Sequence, residues 1–97
     1  MNEFVPSEFN LSQNYPNPFK EKTVIKYCVA YKTRVKLTVL NAEGEVIEKL
    51  VDEEKKPGTY EVEFQSAVGN RRLSSGNYVC WFEAGDYSSQ KKMILEK

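Results

Sequence analysis

Two cysteines, fourteen carboxylates and a single tryptophan are the side chains of this 97-residue chain that could do chemistry, and histidine is absent. Without histidine there is no Ser-His-Asp or Cys-His catalysis, no imidazole base and no imidazole metal ligand. Cys28 and Cys80 stand far apart and unaccompanied, so a zinc site is not expected. A thiol nucleophile needs an activating base, and Cys80 falls in the inward set Tyr78, Cys80, Phe82 and Ala84, where it should pack inertly. Glu61 and Glu63 alternate with apolar residues on the outer face of a strand, and Asp52, Glu53 and Glu54 cluster beside Lys55 and Lys56. Acid/base work needs two carboxyls converging in a cleft, and this pattern gives a solvated face instead. The glycines serve turns, and no Gly-rich phosphate loop is present. The expectation is therefore a domain with no catalytic residue, no cofactor and no metal, and no enzymatic activity. Trp81 invites two readings. It is covered, with Val79, by a Pro-rich opening segment, or it forms a sugar-stacking platform with Tyr87 nearby.

The elements that position these residues have a period of two. Arg34 to Leu40 alternates Arg34, Lys36 and Thr38 with Val35, Leu37 and Val39. Thr59 to Gln65 repeats the pattern with Tyr60, Val62 and Phe64 inward, and residues 87–95 complete it with Met93 and Leu95 inward. In residues 23–29 the apolar face is Ile25, Tyr27 and Val29, which turns Cys28 outward. Immunoglobulin-like sandwiches often bridge two strands by a disulfide, with a tyrosine two residues before the second cysteine, as Tyr78 precedes Cys80. One inward and one outward cysteine cannot bridge without a bulge, so both thiols should be free.

Turn signals separate the runs. Asn41-Ala42-Glu43-Gly44 suits a type I turn closed by a glycine bulge, and Ala84-Gly85-Asp86 serves a second hairpin. Ser66 to Ser75, containing Gly69-Asn70-Arg71-Arg72, is the longest irregular connection, with a mobile tip. Residues 45–51 break strand parity, with Val46, Ile47, Leu50 and Val51 at helical spacing. An edge strand is favoured over a short helix there, because the preceding turn suits a hairpin and seven residues make a marginal helix. The fold expected is all-β, an immunoglobulin-like antiparallel β-sandwich of about seven strands. The core should hold Ile25, Tyr27, Val35, Leu37, Val39, Tyr60, Val62, Phe64, Tyr78, Phe82 and Met93.

Composition sets limits. A chain this short makes one small domain. Fourteen basic and fourteen acidic side chains cancel, so the overall charge implies neither nucleic acid nor an anionic membrane surface. No apolar run approaches the ~20 residues of a membrane-spanning helix. Met1-Asn2-Glu3 is acidic, with no apolar signal-peptide region behind it.

Residues 9–19, Phe-Asn-Leu-Ser-Gln-Asn-Tyr-Pro-Asn-Pro-Phe, are too rich in proline for a helix or a central strand. They carry three aromatics, so the segment should dock on a sheet with Tyr15 and Phe19 substantially buried. The run resembles the opening of the C-terminal sorting domain of the type IX secretion system, type A, from Bacteroidetes-like bacteria. Further pieces follow in order: Thr23 to Tyr27, Val35 to Asn41, Pro57-Gly58-Thr59-Tyr60, Leu73-Ser74-Ser75-Gly76-Asn77-Tyr78 and the basic, apolar ending Lys92 to Lys97. The outline also resembles the immunoglobulin-like domain of flagellar-hook capping proteins. Lys20-Glu21-Lys22 and Cys80 depart from the family pattern, which favours small polar residues and an aromatic there.

The resemblance implies a non-catalytic sorting signal that directs an exported passenger across the outer membrane. Residues 1–8 would be the linker from a missing N-terminal passenger, and residues 9–97 the sorting domain. The implied partners are the outer-membrane secretion machinery, a sortase-like surface peptidase and the passenger. The implied location is the periplasm in transit, then the cell surface or the medium. The motif positions carried over are Pro16, Asn17, Pro18, Phe19, Gly58, Tyr60, Gly76, Tyr78, Lys92 and Lys97. The alternative function is a carbohydrate-binding or structural β-sandwich module of a cell-surface protein.

Overall fold

The computed structural model describes residues 6–68 and 71–96. Met1 to Val5, Gly69, Asn70 and Lys97 lie outside the described residues, and with them the tip of the 66–75 connection and the terminal lysine. All the regular elements are strands: β1 (Asn10–Leu11), β2 (Lys22–Val29), β3 (Thr33–Asn41), β4 (Val46–Lys55), β5 (Gly58–Gln65), β6 (Ala67–Val68), β7 (Arg71–Arg72), β8 (Gly76–Ala84) and β9 (Tyr87–Leu95). Seven of them build an immunoglobulin-like sandwich, a three-stranded sheet β1-β2-β5 against a four-stranded sheet β4-β3-β8-β9. The pairings are antiparallel, and β6 and β7 form a small hairpin of their own. The irregular connection thus contains paired residues.

Alternation places the core. β2 turns Thr23, Ile25, Tyr27 and Val29 inward, β3 turns Val35, Leu37 and Val39, and β8 turns Tyr78, Cys80, Phe82 and Ala84, all of them buried. β-branched and aromatic side chains fill these rows, as a half-buried pleated surface favours. Rings join the two sheets: Tyr27 lies 5.2 Å from Phe82 and Phe19 lies 6.0 Å from Phe64, centroid to centroid. Tyr60 and Val62 point inward as expected but are only partly buried, because β5 is the last strand of its sheet.

Residues 46–51 belong to a strand, and the broken parity has a local cause. The β3–β4 register slips between Leu37 and Thr38 and again between Val39 and Leu40. Each slip is a bulge that turns an extra residue toward the core. Ile47 and Leu50 pack against it at helical spacing for that reason. The strand continues to Lys55, so the acidic Asp52–Glu54 run is part of the sheet edge. In the preceding turn Gly44 has φ +85°, and Asn41 Oδ1 accepts from the backbone N–H of Glu43 and Glu45 at 3.0 and 2.8 Å.

Candidate functional site

The opening motif sits along the side of the sandwich where β2 and β9 meet. Leu11 is buried and pairs with Tyr27, and the Ser12 N–H donates to the Lys26 carbonyl at 2.9 Å. Tyr15 then exchanges two backbone bonds with Val24, at 3.0 and 2.9 Å. Two prolines follow, and the chain leaves the three-stranded sheet for the other one. The Phe19 N–H donates to the Ile94 carbonyl at 2.9 Å, and the Glu96 N–H donates to the Phe19 carbonyl at 2.8 Å. The Phe19 ring enters the core and is 1% exposed.

Side chains make the same connection. Asn17 Oδ1 accepts from the Ile94 N–H at 2.9 Å, and Gln13 Nε2 donates to the Lys92 carbonyl at 2.8 Å. Asn14 is buried; its Nδ2 donates to Thr23 Oγ1 at 2.9 Å and to the Pro16 carbonyl at 3.1 Å, while Thr23 Oγ1 donates to that carbonyl at 2.8 Å. The Pro16 oxygen thus gains two side-chain donors, one from each side of it in sequence. The opening motif and the terminal strand form one unit, held from Lys92 to Glu96.

Tyr15 corrects the sequence expectation. Its backbone is pinned but its ring is 80% exposed. Pro16, Asn17 and Pro18 are also exposed. The antiparallel bridge to Val24 points the ring to the outer side, and an irregular segment offers no parity from which to foresee that. The Tyr15 ring faces solvent and the Phe19 ring lies in the core, so neither covers Val79 or Trp81. These lie on the outer face of the other sheet, and Trp81 is 38% exposed. Tyr87 does not join Trp81 in a platform, because its ring packs against Phe9 at 5.7 Å and Phe82 at 5.8 Å.

The two Gly-x-Tyr pieces share one construction. The Tyr60 hydroxyl donates to the Lys56 carbonyl at 2.6 Å, and the Tyr78 hydroxyl donates to the Ser74 carbonyl at 2.7 Å. Each ring reaches back four residues, over a glycine that opens its strand. Gly58 and Gly76 have φ +156° and +144°, a region that is essentially closed to other residues. The arrangement matches the tyrosine corner of immunoglobulin-like folds in its logic. Lys55 Nζ lies 5.0 Å over the Tyr60 ring, and Lys92 projects to solvent. The site residues thus fall in three places: Pro16, Asn17, Pro18 and Phe19 with the β9 backbone, Gly58 with Tyr60, and Gly76 with Tyr78.

The residues with chemical potential lie elsewhere. Both cysteines are free, with Cys80 buried and Cys28 half-buried on the outer side, 3.7 Å from Thr59 Oγ1. Burial pushes the Cys80 thiol up to about 12, so it stays protonated. Burial also raises the Tyr27 hydroxyl. Glu61 and Glu63 pair across strands with Lys26 and Lys22 at 3.5 and 3.6 Å. Among the described residues no cluster of His, Cys, Asp and Glu could hold a metal, and no helix is long and apolar enough to cross a membrane.

Residues 13–96 match the secretion system C-terminal sorting domain family. The chain belongs to this family of type IX sorting signals. The match runs from Gln13 to Glu96, the first and last residues that bond the opening segment to the terminal strand. The sandwich is also similar to part of the crystal structure of dimeric latent PorU from Porphyromonas gingivalis, with TM-score 0.62 and 14% identity. That likeness covers 98% of this chain and 10% of the other, and it concerns the fold. No curated protein matches the chain.

Sequence reasoning missed Gln13, Asn14 and Thr23. Thr23 was open to discovery, since parity puts it inward with Ile25 and a buried hydroxyl requires a partner.

Proposed function

We propose that residues 9–97 are a non-catalytic sorting signal that directs an N-terminal passenger across the outer membrane, with residues 1–8 as the linker to it. The domain folds in the periplasm and is recognised by the secretion machinery. A sortase-like surface peptidase later removes it, leaving the passenger at the cell surface or in the medium. The family match over residues 13–96 carries this reading. In it, Asn17 and Phe19 hold the terminal strand, Pro16 and Pro18 shape the crossing between sheets, and the two Gly-x-Tyr corners fix strand entrances. Lys92 and Lys97 give the ending its charge.

Fusing residues 1–97 to a periplasmic reporter in a host with this secretion system tests the reading. The fusion should reach the cell surface, and deleting Lys91 to Lys97 should abolish that. The deletion removes Met93 and Leu95 from the core, so Lys92→Gln with Lys97→Gln is the cleaner variant. It should stay folded by circular dichroism and accumulate in the periplasm. An intact fusion that never leaves the periplasm refutes the function.

A second reading rests on Trp81, which is 38% exposed on the outer face of its sheet. A glycan array that retains the parent domain but not Trp81→Ala would move the carbohydrate-binding alternative to the front.

A further inference from the structure

The arginines of this chain are Arg34, Arg71 and Arg72. Arg34 is tied to Asp52 at 3.0 Å. Arg71 and Arg72, exposed neighbours on β7, have no ion-pair or hydrogen-bond partner for their side chains among the described residues. Both line a hollow of about 340 Å³ at one end of the sandwich, between the β3–β4 turn and the chain that leads from β7 into β8. That volume is at the small end of the range of ligand pockets.

Both walls of the hollow are held in place. On the turn side, Asn41 Oδ1 accepts from the N–H of Glu43 and Glu45, and Asn41 Nδ2 donates to Glu45 Oε1 at 2.8 Å. On the other side Leu73 is buried, and its N–H donates to the Ser66 carbonyl at 2.8 Å. The Tyr78 hydroxyl holds the Ser74 carbonyl at 2.7 Å. Between these anchors the donors are idle. No hydrogen bond among the described residues engages the N–H or the hydroxyl of Ser74 or Ser75, and both serines line the hollow.

Two guanidinium forks, two hydroxyls and two loop N–H groups are more donors than the two oxygens of a carboxylate can take. A phosphate monoester, with three terminal oxygens and up to two negative charges, can use them. Glu43 is the one carboxylate among the described lining residues; it pairs with neither arginine and belongs to the turn wall. We propose that this hollow binds a phosphate monoester, seated by Arg71, Arg72, Ser74 and Ser75 and turned away from the charge of Glu43. A soluble phosphate compound and a lipid headgroup both offer that chemistry. Such a site is independent of the sorting function proposed above and needs no secretion host to test.

The probe is inorganic phosphate, titrated into the native chain at constant ionic strength and followed by nuclear magnetic resonance. The amides of Ser74 and Ser75 should shift and saturate, while acetate and chloride should leave them in place. Arg71→Gln and Arg72→Gln should each weaken phosphate binding about tenfold, the size of one lost charge-assisted hydrogen bond. Glu43→Gln should tighten it a few-fold, because a like charge is removed. All three side chains are exposed, so the variants should stay folded by circular dichroism. Should an arginine variant fail to fold, the titrations of the parent and of Glu43→Gln still decide. Vesicles of phosphatidylcholine with and without phosphatidic acid separate the two sources. Co-sedimentation only with phosphatidic acid assigns the site to a lipid headgroup, and phosphate binding without co-sedimentation assigns it to soluble phosphates. Absent shifts at Ser74 and Ser75, equal shifts with acetate, or parental affinity in both arginine variants overturn the proposal.

Discussion

Phe19 and Tyr15 stand four residues apart in one motif, and the structure gives them opposite energetic roles. Phe19 is 1% exposed, packs edge-on to Phe64 and lies beside Leu95 through its backbone bridge. Truncation to alanine loses the transfer of a whole ring and leaves a cavity, about 3–5 kcal/mol for a fully buried phenylalanine. The backbone bonds to Ile94 and Glu96 hold the cavity walls in place, which argues for the upper half of that range. A domain of this size has ~5–15 kcal/mol in all, so Phe19→Ala removes a large fraction of it. At roughly 4–8 °C per kcal/mol, the melting temperature should fall by more than ~12 °C. Tyr15→Ala removes a ring that is 80% exposed and should stay within ~0.5 kcal/mol. Urea unfolding followed by tryptophan fluorescence measures both, and an unchanged slope shows that the unfolded reference is the same. A loss below about 1 kcal/mol for Phe19→Ala would mean the opening segment is not part of the folded unit. Equal losses for the two would refute the assignment of inside and outside.

The other expectations are narrower. Gly76→Ala meets no atom within 4 Å, so its cost is backbone strain alone, ~1–3 kcal/mol, by the same urea assay. Tyr78→Phe loses the bond to the Ser74 carbonyl and should cost ~0.5–1.5 kcal/mol. Native protein should take up one equivalent of a thiol reagent at Cys28, and Cys80 should react only on unfolding. The Cys80 thiol is raised from 9.0 to about 12 by burial, so above pH 9 the unfolded chain loses a proton that the folded chain keeps. Stability should therefore fall between pH 9 and 12, by about 1.4 kcal/mol per unit from this group. The fall should be shallower in Cys80→Ala.

Wherever two covered strands alternate, the sequence is enough to find the core, as in β2, β3 and β8. The same parity separates Cys28 from Cys80 without any coordinates. It fails in three places for three reasons. Residues 14–19 have no regular geometry, so nothing in their order distinguishes the outward Tyr15 from the inward Phe19. In β4 two bulges shift the phase, and Ile47 and Leu50 mimic a helix. At β5 the direction of Tyr60 and Val62 is right but the depth is not, because position in a sheet is a property of topology. The bonds from Gln13 and Asn17 to β9 span 79 and 77 residues, beyond any local pattern.

Most of the motif residues work inside the molecule. Asn17 and Phe19 bind the β9 backbone, Tyr60 and Tyr78 each close on a carbonyl four residues back, and Gly58 and Gly76 permit the strands to begin. Residues with these tasks make poor direct contacts for a receptor, since their polar groups are already satisfied. A substitution at any of them would disturb export by disturbing the fold. On the proposed function, recognition would then fall on features free of these internal tasks. The exposed motif residue Lys92 on β9 and the unpaired edge of β5 are such features, and they lie on opposite sides of the sandwich. If both are read, the receptor must meet the folded domain as a whole. An unfolded chain that kept every motif residue would then fail as a signal. Phe19→Ala tests this directly: at a temperature where it is unfolded it should not be exported, and at one where it is folded it should be.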